Sequence, residues 1–179
     1  MFDAIEDLYL NYCPEGTEFL LVGDFNARTG LLNETFTLDQ SHEVNSDLYE
    51  FELDKREREA LLAKHDVPLV RSTNSEKSIN RYGERFLLTC QNTGSYIANG
   101  RCGSDKGTGM FTCAGTSVVD YVACSPKAMV NITDFNICDY NPLFSDKHNP
   151  ISLNLGRVAF KNIDQKYSVN KKKITKSSF

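Results

Sequence analysis

No two of the six cysteines in this 179-residue chain stand close enough to form a Cys-x-x-Cys pair. Cys13, Cys90, Cys102, Cys113, Cys124 and Cys138 are scattered, several inside runs that read as strands or helices. They are expected as reduced thiols in or near the core, and they lack the ligand spacing of a structural zinc site. Long apolar runs are missing too. The longest, such as Phe19 to Val22, span only a few residues and fall far short of a bilayer crossing. Asp3, Glu6 and Asp7 interrupt the N-terminal stretch, so no signal peptide is read there. Nor is there an excess of positive charge. The formal net charge of -4 does not advertise nucleic-acid binding, although an acidic metal site can carry a basic rim. Asn33-Glu-Thr35 and Asn131-Ile-Thr133 match the glycosylation triplet, and without an export signal they are read as chance.

What is present is the composition of an ordinary globular domain, 40% apolar and 25% charged, long enough for one real core. Ile5, Leu8, Tyr9 and Tyr12 recur at helical intervals, which predicts a helix over residues 3–12. Phe19 to Val22 reads as a buried central strand that delivers Gly23-Asp-Phe-Asn26 at its end. Residues 28–47 read as loop, and residues 48–64 as an exposed helix or insertion. Pro68 limits Val67 to Val70 to a short edge strand. Asn80 can cap a helix over 81–91 whose apolar face is Tyr82, Phe86, Leu87 and Cys90. Tyr96 to Ala98 reads as a short strand turned by Asn99-Gly100. Met110 to Thr112 and Val118 to Ala123 read as a hairpin-like pair, Val130 to Ile137 as a bulged strand, and Pro150 to Leu155 as the last strand. From Arg157 to Phe179 there are seven Lys/Arg residues against one Asp, and apolar periodicity is lost. This divides the chain into a domain, 1–156, and a basic tail or linker, 157–179.

Three clusters could do chemistry. Asp24 and Asn26 stand two apart, just past a strand. Asp120 lies inside the apolar run Ser117-Val-Val-Asp-Tyr121, where a lone carboxylate needs a partner or a metal. Ser145-Asp-Lys-His-Asn-Pro150 precedes the last strand. Each alone reads more simply as a loop cap or a polar strand end. Together they hold what phosphodiester cleavage requires. Carboxylates suit a hard cation that offsets phosphate charge, and a carboxylate or imidazole can handle water and protons.

The combination resembles the C-terminal half of the endonuclease/exonuclease/phosphatase superfamily, and within it the endonucleases of non-LTR retrotransposons. The resemblance is carried by Leu21-Val-Gly-Asp-Phe-Asn-Ala-Arg-Thr-Gly30, by Asn80-Arg-Tyr-Gly83 with Leu87, Leu88 and Cys90, by Asn99-Gly-Arg101, and by Phe111-Thr112 followed by Ser117-Val-Val-Asp-Tyr121. These elements run in order over roughly residues 1–155. It implies an α/β fold, half of a four-layer sandwich of the DNase I-like type, and a Mg²⁺-dependent (or Mn²⁺-dependent) hydrolase that nicks DNA. It implies that Asp24 orients or deprotonates the attacking water, that Asn26 binds phosphate, that Asp120 pairs with His148, and that Asp146 binds or orients the metal. Arg28 and Thr112 would lie along the substrate groove. An intracellular, nuclear setting goes with this family, as does a neighbouring reverse transcriptase domain.

Two departures carry expectations of their own. The family's final motif is Ser-Asp-His, whereas Lys147 separates Asp146 from His148. In a strand that insertion would turn the histidine away; in a loop or at a bulge it need not, and His148 is expected to face the site. The family's first half supplies an Asn and a metal-binding Glu that the 23 residues before Asp24 do not. The expectation is therefore weakened metal binding, an inactive chain, and apolar surface that drives self-association or needs the missing half as partner. A non-catalytic remnant of a mobile element, a phosphatase of the same superfamily and a basic-tailed binding module are the alternatives.

Overall fold

The computed structural model describes residues 1–14, 17–34, 46–74, 78–143, 145 and 147–156. Its elements are α1 (Phe2–Tyr12), β1 (Leu20–Asp24), α2 (Ser46–Lys64), α3 (Arg81–Thr93), β2 (Tyr96–Ile97), β3 (Asp120–Cys124), α4 (Pro126–Val130), β4 (Ile132–Ile137) and β5 (Ile151–Leu155). A 3-10 turn covers Gly103–Asp105. The basic tail, 157–179, lies outside the described residues.

Strand β3 organises the chain. It pairs antiparallel with β1 on one side and with β2 on the other. Side chains alternate across a strand, and here the alternation separates two cores. Tyr121 and Ala123 pack with Phe2 of α1, Phe86, Leu87 and Cys90 of α3, and Ile97. Val122 and Cys124 pack with Leu62 of α2, Met129 of α4, and Phe135 and Ile137 of β4. Strands β4 and β5 form a second antiparallel sheet. Helices α1 and α3 thus cover one face of the first sheet, while α2, α4 and the second sheet share the core on the other.

Helix α3 shows why its residues form a helix. The Asn80 side chain accepts from the Gly83 amide at 2.7 Å, which satisfies an orphan N–H of the first turn. Gly94 closes the helix in the left-handed conformation, φ 62°. Phe86, Leu87 and Cys90 are buried as expected, whereas Tyr82 remains 55% exposed. The charged stretch before residue 65 is a helix whose Leu62 is fully buried.

Several expectations are corrected. Strand β1 is an edge of its sheet among the described residues, not a central strand, and its Val22 is 56% exposed. Val67 to Val70 forms no strand. The Pro68 and Leu69 carbonyls instead accept from the buried Arg101 guanidinium, at 2.8 and 2.6 Å, so the segment finds its partners without a ladder. Met110 to Thr112 is not a strand either; the expected hairpin shrinks to a bridge between Cys113 and Ser117. Val130 ends α4 rather than starting β4, and Pro126 at the first turn explains the helix. The bulge expected in β4 is present, between Ile132 and Asp134.

The loops around the sheet are held by buried polar groups. Glu34, between the buried Arg71 and Arg101, accepts from Arg101 Nη1 at 2.5 Å and from the Ile97 amide at 3.0 Å. Arg71 reaches Thr29 Oγ1 and the Leu32 carbonyl. Burial pulls the Arg71 guanidinium below its ordinary value, while Tyr121 and Glu34 act the other way. The Asp105 carboxylate takes the Gly100 and Met110 amides, each at 2.7 Å on a separate oxygen, and so shapes the loop that precedes β3.

Candidate metal and acid–base site

Asp24 ends β1, and Asp120 lies opposite it at the start of β3. Pairing of the two strands therefore brings both carboxylates to one end of the sheet. Beyond Asp24 the chain turns sharply. The Asn26 amide donates to Asp24 Oδ1 at 2.8 Å, and Asn26 takes φ 50°, a conformation Asn tolerates better than most residues.

Asn80 fixes this turn from outside. Besides capping α3, its side chain accepts from the Arg28 amide at 3.0 Å and donates to the Asn26 carbonyl at 2.9 Å. Gly83 makes the approach possible, because a Cβ there would stand 1.9 Å from the Arg28 carbonyl oxygen. From the core side, the Tyr121 hydroxyl donates to the Ala27 or Val118 carbonyl, at 2.9 and 2.8 Å. Consecutive residues of β3 thus serve different ends: Asp120 meets the His148 ring and Tyr121 pins the loop that carries Asn26.

His148 arrives from the other end of the chain. The Ser145 hydroxyl accepts from the Lys147 and His148 amides at 3.2 and 2.9 Å. Ala114 donates to the Lys147 carbonyl and Asn149 to the Thr112 carbonyl, each at 2.8 Å. The segment is a tied loop, so the extra Lys147 is absorbed without reversing the histidine. The ring presents Nδ1 to both oxygens of Asp120, at 3.0 and 2.9 Å. Its Nε2 lies 4.0 Å from Asp24 Oδ2 and 3.9 Å from Cys113 Sγ.

One ligand atom each from Asp24, Asp120 and His148 fall within 4.8 Å of one another, so the three form a candidate metal-coordinating cluster. All three are partly open to solvent rather than sealed off. Asp24 and His148 line a cleft of about 760 Å³, together with Asn26, Arg28, Asn80, Tyr82, Cys113 and Lys147, and Asp120 stands behind the His148 ring. The donor set fits a hard cation only in part. Asp120 turns both oxygens to the imidazole, which leaves Asp24 Oδ2 as the carboxylate oxygen facing His148 Nε2. An imidazole nitrogen suits a softer ion than Mg²⁺.

The other expected site residues divide. Asn26 and Arg28 line the cleft. Thr112 does not: it is fully buried, and its hydroxyl accepts from the Val119 and Asp120 amides, both at 3.0 Å. It supports the backbone of Asp120 instead of offering a surface to substrate. Asp146 lies outside the described residues. From the sequence, Asn80 reads as a helix cap and as the start of the Asn80-Arg-Tyr-Gly83 element, and Cys113 as one thiol among six. No local signal marks either role, since the partners stand 52 and 35 residues away. Three of the other thiols, Cys90, Cys102 and Cys124, are buried. Burial pushes Cys90 up to about 12 and Cys102 up to about 11, and raises Cys124 as well.

Set against protein-family models, curated proteins and solved structures, the chain matches none of them. Among the described residues, no helix is long and apolar enough to cross a membrane.

Proposed function

We propose that the cleft is a phosphodiester-hydrolysing site, of the kind used by metal-dependent DNA endonucleases of non-LTR retrotransposons. One observation carries the reading: Asp120 backs the His148 ring at Nδ1, and Nε2 looks toward Asp24. A carboxylate behind an imidazole sets its tautomer and favours its protonated form. The His148 ring is then suited to donate a proton, or a charged hydrogen bond, to a phosphate oxygen. Asp24 is placed to orient or deprotonate water. The Asn26 side chain, with Arg28 and Lys147 on the cleft wall, offers a phosphate a donor and positive charge. When bound, Mg²⁺ or Mn²⁺ would be held by Asp24 and Asp146 and would offset charge on the phosphate. Helices on one face of the first sheet and a second sheet beyond the other support the reading of half a DNase I-like sandwich. DNA as partner and a nuclear setting belong to the same proposal.

The test is nicking of supercoiled plasmid by this chain with Mg²⁺, against a chelator and against Asp146→Ala and His148→Ala. Nicking that needs the metal and both residues supports the proposal. Folded protein that leaves the plasmid intact would identify the chain as a non-catalytic remnant. Hydrolysis of phosphate monoesters in place of plasmid would move it to the phosphatases.

A further inference from the structure

The thiol of Cys113 has no part in phosphodiester chemistry, yet it flanks the same ring nitrogen as Asp24. Its Sγ stands 3.9 Å from His148 Nε2, and Asp24 Oδ2 stands 4.0 Å from that nitrogen. Zinc bonds sulfur at about 2.3 Å and imidazole at about 2.0 Å, so two tetrahedral ligands lie roughly 3.5 Å apart. Sγ and Oδ2 therefore each stand near ligating distance of Nε2 before any ion draws them in. Two of their other contacts resemble those of prepared ligands. The Asn26 amide occupies Asp24 Oδ1 and leaves Oδ2 toward His148. Asp120 holds Nδ1 at 2.9 Å, which is the outer partner a metal-bound histidine characteristically has.

We propose that Cys113, His148 and Asp24 form a binding site for a thiophilic divalent cation of the zinc class, with Asp120 orienting the imidazole as an outer partner. Three protein ligands leave the fourth position facing the cleft, open to water or to a phosphate oxygen. The donor types, one sulfur, one nitrogen and one oxygen, select against Mg²⁺. An ion there occupies His148 Nε2, the atom that proton transfer to a phosphate would use. Zinc thus becomes an inhibitor of the hydrolytic site rather than its cofactor. The binding claim stands on geometry alone and does not depend on the nuclease reading.

Cobalt(II) is the probe, because a cysteine ligand gives it a sulfur-to-metal charge-transfer band in the near ultraviolet. The full chain is expected to bind one Co²⁺ with that band, and Zn²⁺ should displace it while excess Mg²⁺ should not. Cys113→Ser should abolish the band, and Cys138→Ser should keep it. Asp120→Asn should keep the band but weaken binding by about 10- to 100-fold. On the unmodified chain, Zn²⁺ should slow alkylation of Cys113 and leave Cys138 unaffected. Binding without the band, a band that survives Cys113→Ser, or no protection of Cys113 would overturn the proposal. Absence of plasmid nicking in a chain that shows the band would count against the nuclease reading alone.

Discussion

Asp120 presents both carboxylate oxygens to one edge of the His148 ring, at 3.0 and 2.9 Å from Nδ1. The contact joins the middle strand of the first sheet to the loop before the last strand. It decides which ring nitrogen carries a proton, and therefore what Nε2 offers to the cleft. Asp120→Asn preserves shape but removes the charge beside Nδ1. Mg²⁺-dependent nicking is expected to fall by about 100- to 10,000-fold, with the thermal unfolding midpoint little changed. An unchanged nicking rate would remove His148 from proton transfer.

The buried charges between Glu34 and its two arginines predict a large stability effect. Arg101 and Glu34 are almost wholly shielded from solvent, and Glu34 also takes the Ile97 amide. Glu34→Ala would leave two buried guanidinium groups without their carboxylate. A loss of about 3–5 kcal/mol is expected, measured by urea unfolding. A loss below about 1 kcal/mol would mean that water reaches these groups in solution.

Gly83→Ala should act on the site without touching it. A Cβ at that position meets the Arg28 carbonyl at 1.9 Å, so the turn carrying Asn26 and Arg28 must lift away from α3. The expected cost is about 1–3 kcal/mol of stability, accompanied by weaker metal binding. Titrating Co²⁺ into the variant checks the second part. Unaltered binding would show that the turn holds its form without α3.

Val22 lies 56% exposed on β1, whose outer edge has no strand partner among the described residues. An open edge beside exposed apolar surface favours pairing with a second copy. Sedimentation equilibrium is expected to show concentration-dependent association, and Val22→Lys should shift the population toward monomer. A wild-type chain that stays monomeric at every concentration would sink this prediction.

The legible and illegible parts of the molecule differ in physical kind. Helices α1 and α3 were readable because their apolar spacing, the Asn80 cap and the turn residues that follow them are local signals. The bulge in β4 was readable from its irregular alternation. Asp24 stood out just past a strand, Asp120 inside an apolar run and His148 just before the last strand, and the fold brings all three together. Arg101 and Glu34 gave no such sign. Nothing local says that a charged side chain will be buried, because its partners are supplied by distant segments. Val67 to Val70 misled for the same reason: apolar content suggested a strand, and Arg101 supplied the carbonyl partners instead. Thr112 was expected beside substrate and is fully buried beneath Asp120, a distinction that only the third dimension makes.

Asp120 and Tyr121 are neighbours on β3, one turned to the His148 ring and the other to the core, where its hydroxyl pins the loop after β1. A register error of one residue would send the carboxylate into hydrocarbon and the phenol into water. Such an error would break the core and the site in the same event. The chemistry therefore inherits the cooperativity of folding: a population of chains should contain finished sites and unfolded strands, with few half-built centres able to bind metal wrongly.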